Sequence, residues 1–450
     1  MANELMTFRN GVLSIYQSAI EDLAHQVAGR DLTPGDRPGT DNHIIAAGAA
    51  AAASRMDPTA AAGVQAKAGT FQRCAELGLQ YLEAQARGDQ ATAARIKAQI
   101  AFSECDSKWI VTLDEYAKHF GPGGGLQAIP YIRAGTVGNT VIDLKPSARV
   151  ALIGDWGTGT DVAVDLLQSV KRQKPDAVIH LGDVYYSGTE AECDAFFLQI
   201  VDDVLDRTNT GIPVFTIPGN HDMYSAGSGF YPLIKKLNGG PQQQPASFFC
   251  LRTTDGCWQF EAMDTGLHDH DPFHVTDVLT YLEKDEEDWH VDRIKEFPGR
   301  TILLPHHQLF SAFSQIGKAD ANGNLNPCNP NLLESYNRFA DAGPGRIAAW
   351  FWGHEHNLCI YQPYAGLQFG RCIGHGGIPV FDANKPYDVG GKILDPPQLI
   401  DKTKLPVTGG VYAHGYAMIN FNGAAATVDY FNGTDANPSY SEAIPAPATA

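Results

Sequence analysis

Five short apolar runs in this chain each stop at a cluster of side chains able to hold a metal ion. Residues 150–153 lead into Gly154-Asp155, and residues 177–181 lead into Gly182-Asp183-Val184-Tyr185-Tyr186. Residues 212–217 lead, after Pro218, into Gly219-Asn220-His221-Asp222. Residues 301–304 precede His306-His307, and residues 347–352 precede Gly353-His354-Glu355-His356. Short apolar runs bounded by Gly or Pro read as buried strands. Between the first two, Val162, Leu166, Leu167 and Val170 repeat at helical spacing, which predicts a strand–helix–strand unit with parallel strands. An α/β fold gathers the carboxyl ends of such strands on one side, so the five clusters are expected to converge.

Taken singly, each cluster is ordinary: Gly-Asp often follows a strand, and a lone buried histidine is more often core than ligand. All five in order are a different matter. Carboxylate oxygens suit hard cations, while imidazole suits zinc and iron alike. Two ions side by side need a bridging group, and a carboxylate has the two oxygens for it. Asp183, central among the clusters, is the expected bridge. His354 and His356 are two residues apart, so they face one way on a strand or reach one ion each from a turn.

The rest of the chain bounds the partners. A formal charge of -18 over 450 residues disfavours nucleic acid and anionic membranes, whose binding needs clustered Lys and Arg. It would also repel phosphates at long range, so a phosphate site must bring its own positive charge, which metal ions supply. No apolar run approaches the roughly 20 residues that span a bilayer. The first ten residues lack the pattern of a secretory signal, so a cytoplasmic location is expected. The eight cysteines form no CxxC pair and read as mostly reduced, with Cys250 and Cys257 placed to face each other across a turn.

Residues 1–145 are Ala- and Gly-rich and read as a helical extension, with an α-hairpin expected over residues 71–100. Residues 146–434 form the expected catalytic domain, including a helix within 276–297 and a hairpin over 415–432 turning at Asn422-Gly423. The Pro- and Ala-rich residues 435–450 read as a frayed tail.

From Arg149 to Asn432 the chain resembles the metallophosphoesterase (calcineurin-like) superfamily, and within it the purple, or tartrate-resistant, acid phosphatase branch. The match lies in Gly154-Asp155-Trp156-Gly157, Gly182-Asp183-Val184-Tyr185-Tyr186, Gly219-Asn220-His221-Asp222, the His306 segment and Gly353-His354-Glu355-His356-Asn357. Most of the superfamily has a histidine where Gly157 stands; the purple acid phosphatases omit it too, and use a tyrosine three residues after the bridging Asp, here Tyr186.

The resemblance implies a four-layer α/β/β/α sandwich of mixed sheets. It implies one ion on Asp155, Asp183, Tyr186 and His356, taken to be Fe(III), and a second (Fe, Zn or Mn) on Asp183, Asn220, His306 and His354. In-line attack of a metal-bound hydroxide on small-molecule phosphomonoesters follows, with phosphodiester or nucleotide hydrolysis as the alternative and a non-catalytic interaction module a weaker third. His221 is expected to contact phosphate or the leaving oxygen; Asp222 is expected either to orient His221 or to cap a helix. His307 is expected behind the ligands, His375 in a loop near the metals or in a plain turn, and Tyr185 in the packing.

Overall fold

The structure, a computed structural model, describes residues 129–271, 278–380, 382, 385–388 and 392–446, together with scattered positions between 89 and 120. The chain divides into two units, Met1–Gly123 and Gly124–Ala450, and the two large sheets and all five motifs belong to the second. The expected α-hairpin lies outside the described residues, apart from a few scattered positions.

Alternation along the first strand shows how the layers arise. Val150 and Leu152 of Arg149–Ile153 point into one core, and Ala151 and Ile153 into another. With both faces covered, the strand reads as an unbroken apolar run, as parallel strands do. It pairs in parallel with Ala177–His180, which pairs in parallel with Val214–Thr216. On its other side comes the hairpin Gly415–Asn422 and Ala425–Asn432, then the strand Tyr440–Ile444, completing a six-stranded mixed sheet. That last strand occupies the stretch where a frayed tail was expected.

The second sheet has seven strands, in the order Ile142–Leu144, Phe249–Thr253, Trp258–Ala262, Arg300–Leu304, Ile347–Trp352, Gly370–Ile373 and Leu358–Ile360. Its first strand precedes residue 146, so the sheet reaches back beyond the expected start of the domain. Leu152, Ile179 and Phe215 of one sheet meet Phe260, Ile302 and Phe351 of the other in a shared core. The helix Asp161–Arg172, capped by Thr160 and buried through Leu166, Leu167 and Val170, covers the outer face of the six-stranded sheet. Helices Lys284–Glu296 and Pro330–Ala342 cover the other sheet through Ile294, Leu332 and Phe339. The architecture is therefore the four-layer α/β/β/α sandwich.

The six-stranded sheet ends at Val214–Thr216, whose outward backbone groups are met by side chains. Asn238 accepts from the Val214 N–H at 3.1 Å and donates to its carbonyl at 2.8 Å; Gln244 does the same for Thr216 at 3.1 and 2.7 Å. Two amides thus imitate a neighbouring strand and close the edge. The six described cysteines, Cys250 and Cys257 among them, are all free thiols. No described helix is long and apolar enough to cross a membrane.

Candidate metal centre

Asp155 and Asp183 follow neighbouring parallel strands, and His354 follows Ile347–Trp352 of the other sheet. All three have left-handed backbones, with φ of 54°, 76° and 62°. Such conformations are disfavoured for residues with a Cβ and persist where the surroundings over-determine them. Here each turns a side chain back over the strand ends toward the others.

Two groups of ligand atoms result. In the first, the Tyr185 hydroxyl lies 3.0 Å from Asp155 Oδ1, 3.1 Å from Asp183 Oδ2 and 3.1 Å from His356 Nε2. His356 Nε2 is 3.4 Å from Asp155 Oδ1. In the second, Asn220 Oδ1 is 3.2 Å from His306 Nε2 and 3.0 Å from His354 Nδ1. Asp183 Oδ2, already beside Tyr185, is 3.5 Å from His306 Nε2, so one carboxylate oxygen faces both groups. The carboxylates and imidazoles of both groups lie close enough together to hold metal ions.

The phenol has one proton to offer and the surrounding acceptors ask for more, which is the donor set a cation satisfies. Burial pushes the Asp155 and Asp183 carboxyls up, to about 6 and about 7, and pushes His306 and His354 down. A dry site therefore resists bare carboxylate charge and keeps its imidazoles neutral, the form that ligates. The residues present fit a pair of metal ions.

Hydrogen bonds behind the ligands aim them. His306 Nδ1 donates to the Leu181 carbonyl at 2.7 Å, which turns Nε2 inward. Asn220 Nδ2 donates to the Tyr224 hydroxyl at 2.7 Å, which turns Oδ1 toward the histidines. Glu355 accepts from the Trp352 indole at 3.1 Å and from the Ser311 hydroxyl, anchoring the loop that carries His354 and His356. At Gly219 a Cβ would come within 2.1 Å of Asp183 Oδ1, so this turn admits only glycine. Gly157, where the superfamily histidine would stand, lies against the Val184 backbone; a Cβ there would be 2.8 Å from Val184 Cα. No side chain fits at that position while the Tyr185 segment runs where it does.

The structure places the remaining expected residues as follows: Tyr186 beside the site, Asp222 on the backbone and His307 behind the ligands. Tyr186 is buried next to the site and is held there through its backbone: its N–H donates to Glu192 at 2.7 Å and its carbonyl pairs with His221 Nδ1 at 2.6 Å. It is the Tyr185 hydroxyl, expected in the packing, that sits among the first group. The Asp222 carboxylate takes the helix-capping role, the second of the two expected for it, at the start of Asn220–Met223. It accepts from the N–H groups of Gly219 at 2.8 Å, Asp183 at 2.9 Å and Val184 at 3.3 Å, tying the second and third motifs together. His307 is near enough to His306 and His354 to be grouped with them, yet both its ring nitrogens are engaged, Nδ1 with Thr265 at 2.9 Å and Nε2 with Asp269 at 3.0 Å.

His221 takes its aim from the Tyr186 carbonyl and from the flanking rings of Tyr185 and Tyr224, at 4.5 and 4.8 Å between centroids. Its Nε2 lies 4.0 Å from Asp183 Oδ2. The loop of His375 does pack on the first motif, with Gly376 and Gly377 donating to the carbonyls of Gly154 and Asp155 at 3.1 and 2.9 Å. The His375 ring itself is buried, and burial pushes its pKa down to about 3. Sequence reasoning missed Tyr224, Glu355 and Asp269. Only Tyr224 left a trace, four residues after Asn220 on one helical turn.

Residues 148–358 match the family model described as calcineurin-like phosphoesterase. Among solved structures, the chain is similar to GAP50, the anchor in the inner membrane complex of Plasmodium, at 14% identity and a TM-score of 0.44, covering 66% of this chain and 88% of that one. It is also similar to a predicted phosphoesterase from Streptococcus pneumoniae, at 13% identity and a TM-score of 0.27, covering 66% and 97%. A putative 5'-nucleotidase from Staphylococcus aureus matches at 12% identity and a TM-score of 0.31, covering 58% and 56%. No curated protein matches the chain in sequence. All five motifs that build the centre fall inside the matched segment, and the chain thus carries a calcineurin-like phosphoesterase domain.

Proposed function

We propose that the chain is a phosphomonoesterase of the acid-phosphatase type, with two metal ions and a tyrosine among their ligands. The observation that carries this reading is the Tyr185 hydroxyl, within 3.1 Å of Asp155, Asp183 and His356 at the position where Gly157 leaves no histidine. Asp155, Asp183, His356 and Tyr185 would hold one ion, and Asp183, Asn220, His306 and His354 the other. A phenolate in a carboxylate-rich set favours Fe(III) in the first position, beside Fe, Zn or Mn in the second. When bound, the ions activate water and neutralise charge on the phosphoryl oxygens.

The chain's own residues do the rest. His221 Nε2 is directed at the space over Asp183, where it contacts phosphate and carries a proton to the departing oxygen. Asp222 holds the turns of the second and third motifs in register, and Tyr224 keeps the Asn220 oxygen facing inward. The buried walls exclude water from this space, which strengthens each of these contacts.

Tyrosinate on Fe(III) absorbs visible light, so the iron-loaded chain is expected to be pink to purple. Tyr185→Phe should bleach it and Tyr186→Phe should leave the band in place. An active, fully metallated, colourless protein, or a band removed by Tyr186→Phe alone, would refute this assignment. Rates on an aryl monoester and the matching diester separate the proposed activity from phosphodiester hydrolysis; faster diester turnover would select the latter.

A further inference from the structure

Beside the second group of ligands lies a small cavity whose walls include His354, His307, Asp269, Gln308, Thr280 and Asn329. Its room for the centre of a water-sized group is about 10 Å³, which is space for roughly one polar heavy atom. Asp269 is 2% exposed, and one of its oxygens binds His307 Nε2 at 3.0 Å. Its other oxygen, Oδ1, is buried without a partner, and so is Oε1 of Gln308. Among the described residues, no Lys or Arg lines the space. A buried acceptor left without a donor costs about 1–3 kcal/mol, and both residues that carry one here line the same cavity.

We propose that this cavity is a subsite for a hydroxyl or ammonium group on the alcohol half of the substrate, so that the preferred phosphomonoesters are those of short polar alcohols. The proposal rests on the phosphomonoesterase reading above. His354, a ligand in that reading, forms one wall, so a group entering the cavity is attached close to the phosphorus. The small volume admits an alcohol's terminal –OH or –NH3⁺ and turns away an aromatic ring. A methyl group in the same place leaves both acceptors unsatisfied. Sites built to meet a hydrogen-bonding group discriminate strongly against analogues that lack it.

The test uses the metal-loaded full chain and three esters of equal heavy-atom count: 2-hydroxyethyl, 2-aminoethyl and propyl phosphate. At least one polar ester should exceed propyl phosphate about tenfold or more in kcat/KM, and the better of the two identifies the group as hydroxyl or ammonium. Gln308→Leu should bring that ratio to within about twofold while sparing turnover of propyl phosphate; Gln308→Met serves if that variant does not fold. Calorimetric binding of the matching phosphonates reads the same preference without turnover. Equal affinity for the three phosphonates, or equal rates on the three esters, overturns the subsite and leaves the phosphomonoesterase reading standing. A kept phosphonate preference with no monoester hydrolysis overturns that reading and leaves the subsite.

Discussion

The Asn220 side chain has an oxygen side and a nitrogen side, and only the first suits a cation. Its orientation is set by Tyr224, whose hydroxyl accepts from Nδ2 at 2.7 Å. Tyr224→Phe removes that acceptor and lets the amide turn its nitrogen inward. Metal affinity at the second position is expected to fall about tenfold to a hundredfold, as for other residues behind metal ligands, with the fold intact. Competition with a chelator measures it, and unchanged affinity would separate Tyr224 from the centre. The adjacent tyrosines 185 and 186 show what counting along a sequence misses at this scale. Spacing from Asp183 favours Tyr186, yet which phenol enters the site depends on the path of the loop. That path is held by Asp222 on one side and by the contact of Val184 with Gly157 on the other.

At the scale of elements, the helix Lys284–Glu296 buries charge as well as apolar groups. His290 bonds Glu261 of the strand Trp258–Ala262 at 2.7 Å and lies 3.5 Å from Glu286 one turn earlier. Glu286 also accepts from the Asp264 N–H at 2.7 Å and from the Tyr131 hydroxyl at 2.8 Å. Burial alone would lower the His290 pKa, but the two glutamates outweigh it and raise it to about 9. A histidine held above its ordinary value near 6.5 stabilises fully below that pH, and the contribution is lost as pH rises through about 9. Asp264, pushed up to about 8 by burial and by Glu286, acts in the same direction, its loss beginning lower, above its ordinary value of 3.8. His290→Gln should therefore be less stable than the parent at pH 6, by an amount on the order of 3 kcal/mol, and the gap should close towards pH 10. Denaturant unfolding at the two values checks this; a gap independent of pH would show that His290 is neutral in the fold. The helix itself was legible from its charged stretch, but its burial of glutamates was not. Charge on a helix ordinarily marks its solvent face, and only the packing of three segments shows otherwise.

For the molecule as a whole, the two sheets are joined by more than their apolar core. Arg371 of the seven-stranded sheet makes a two-pronged pair with Glu442 of the six-stranded sheet, both contacts at 2.6 Å, and the Tyr430 hydroxyl also donates to Glu442 at 2.7 Å. Glu442→Ala would leave a guanidinium buried without its carboxylate, for an expected loss of roughly 3–5 kcal/mol. Replacing both partners, Arg371→Met with Glu442→Leu, is expected to recover most of that, since no stranded charge remains. Thermal unfolding of the single and double variants reads the difference, and equal losses would show that the pair is not what ties the sheets.

The apolar runs, their punctuation by Gly-Asp and Gly-His, and the helical spacing between the first two already determined a layered α/β fold. They also determined which strand ends carry ligand-type residues, because burial on both faces and a period of two or 3.6 residues are written locally. Asp155, Asp183, Asn220, His306, His354 and His356 were all named by that local pattern, and the fold brings them within reach of one another. Local pattern carries no information about contacts between segments distant in the chain. The strand Tyr440–Ile444 exists because Ala425–Asn432 offers it an edge to pair with. The Tyr185 hydroxyl faces the carboxylates, and Asp269 meets His307 across 38 residues, because tertiary packing sets where each loop runs. Residue types in order thus marked which strand ends carry ligand-type groups, and the three-dimensional path of the loops decides which of those side chains lie together, because contacts between distant segments are not written locally.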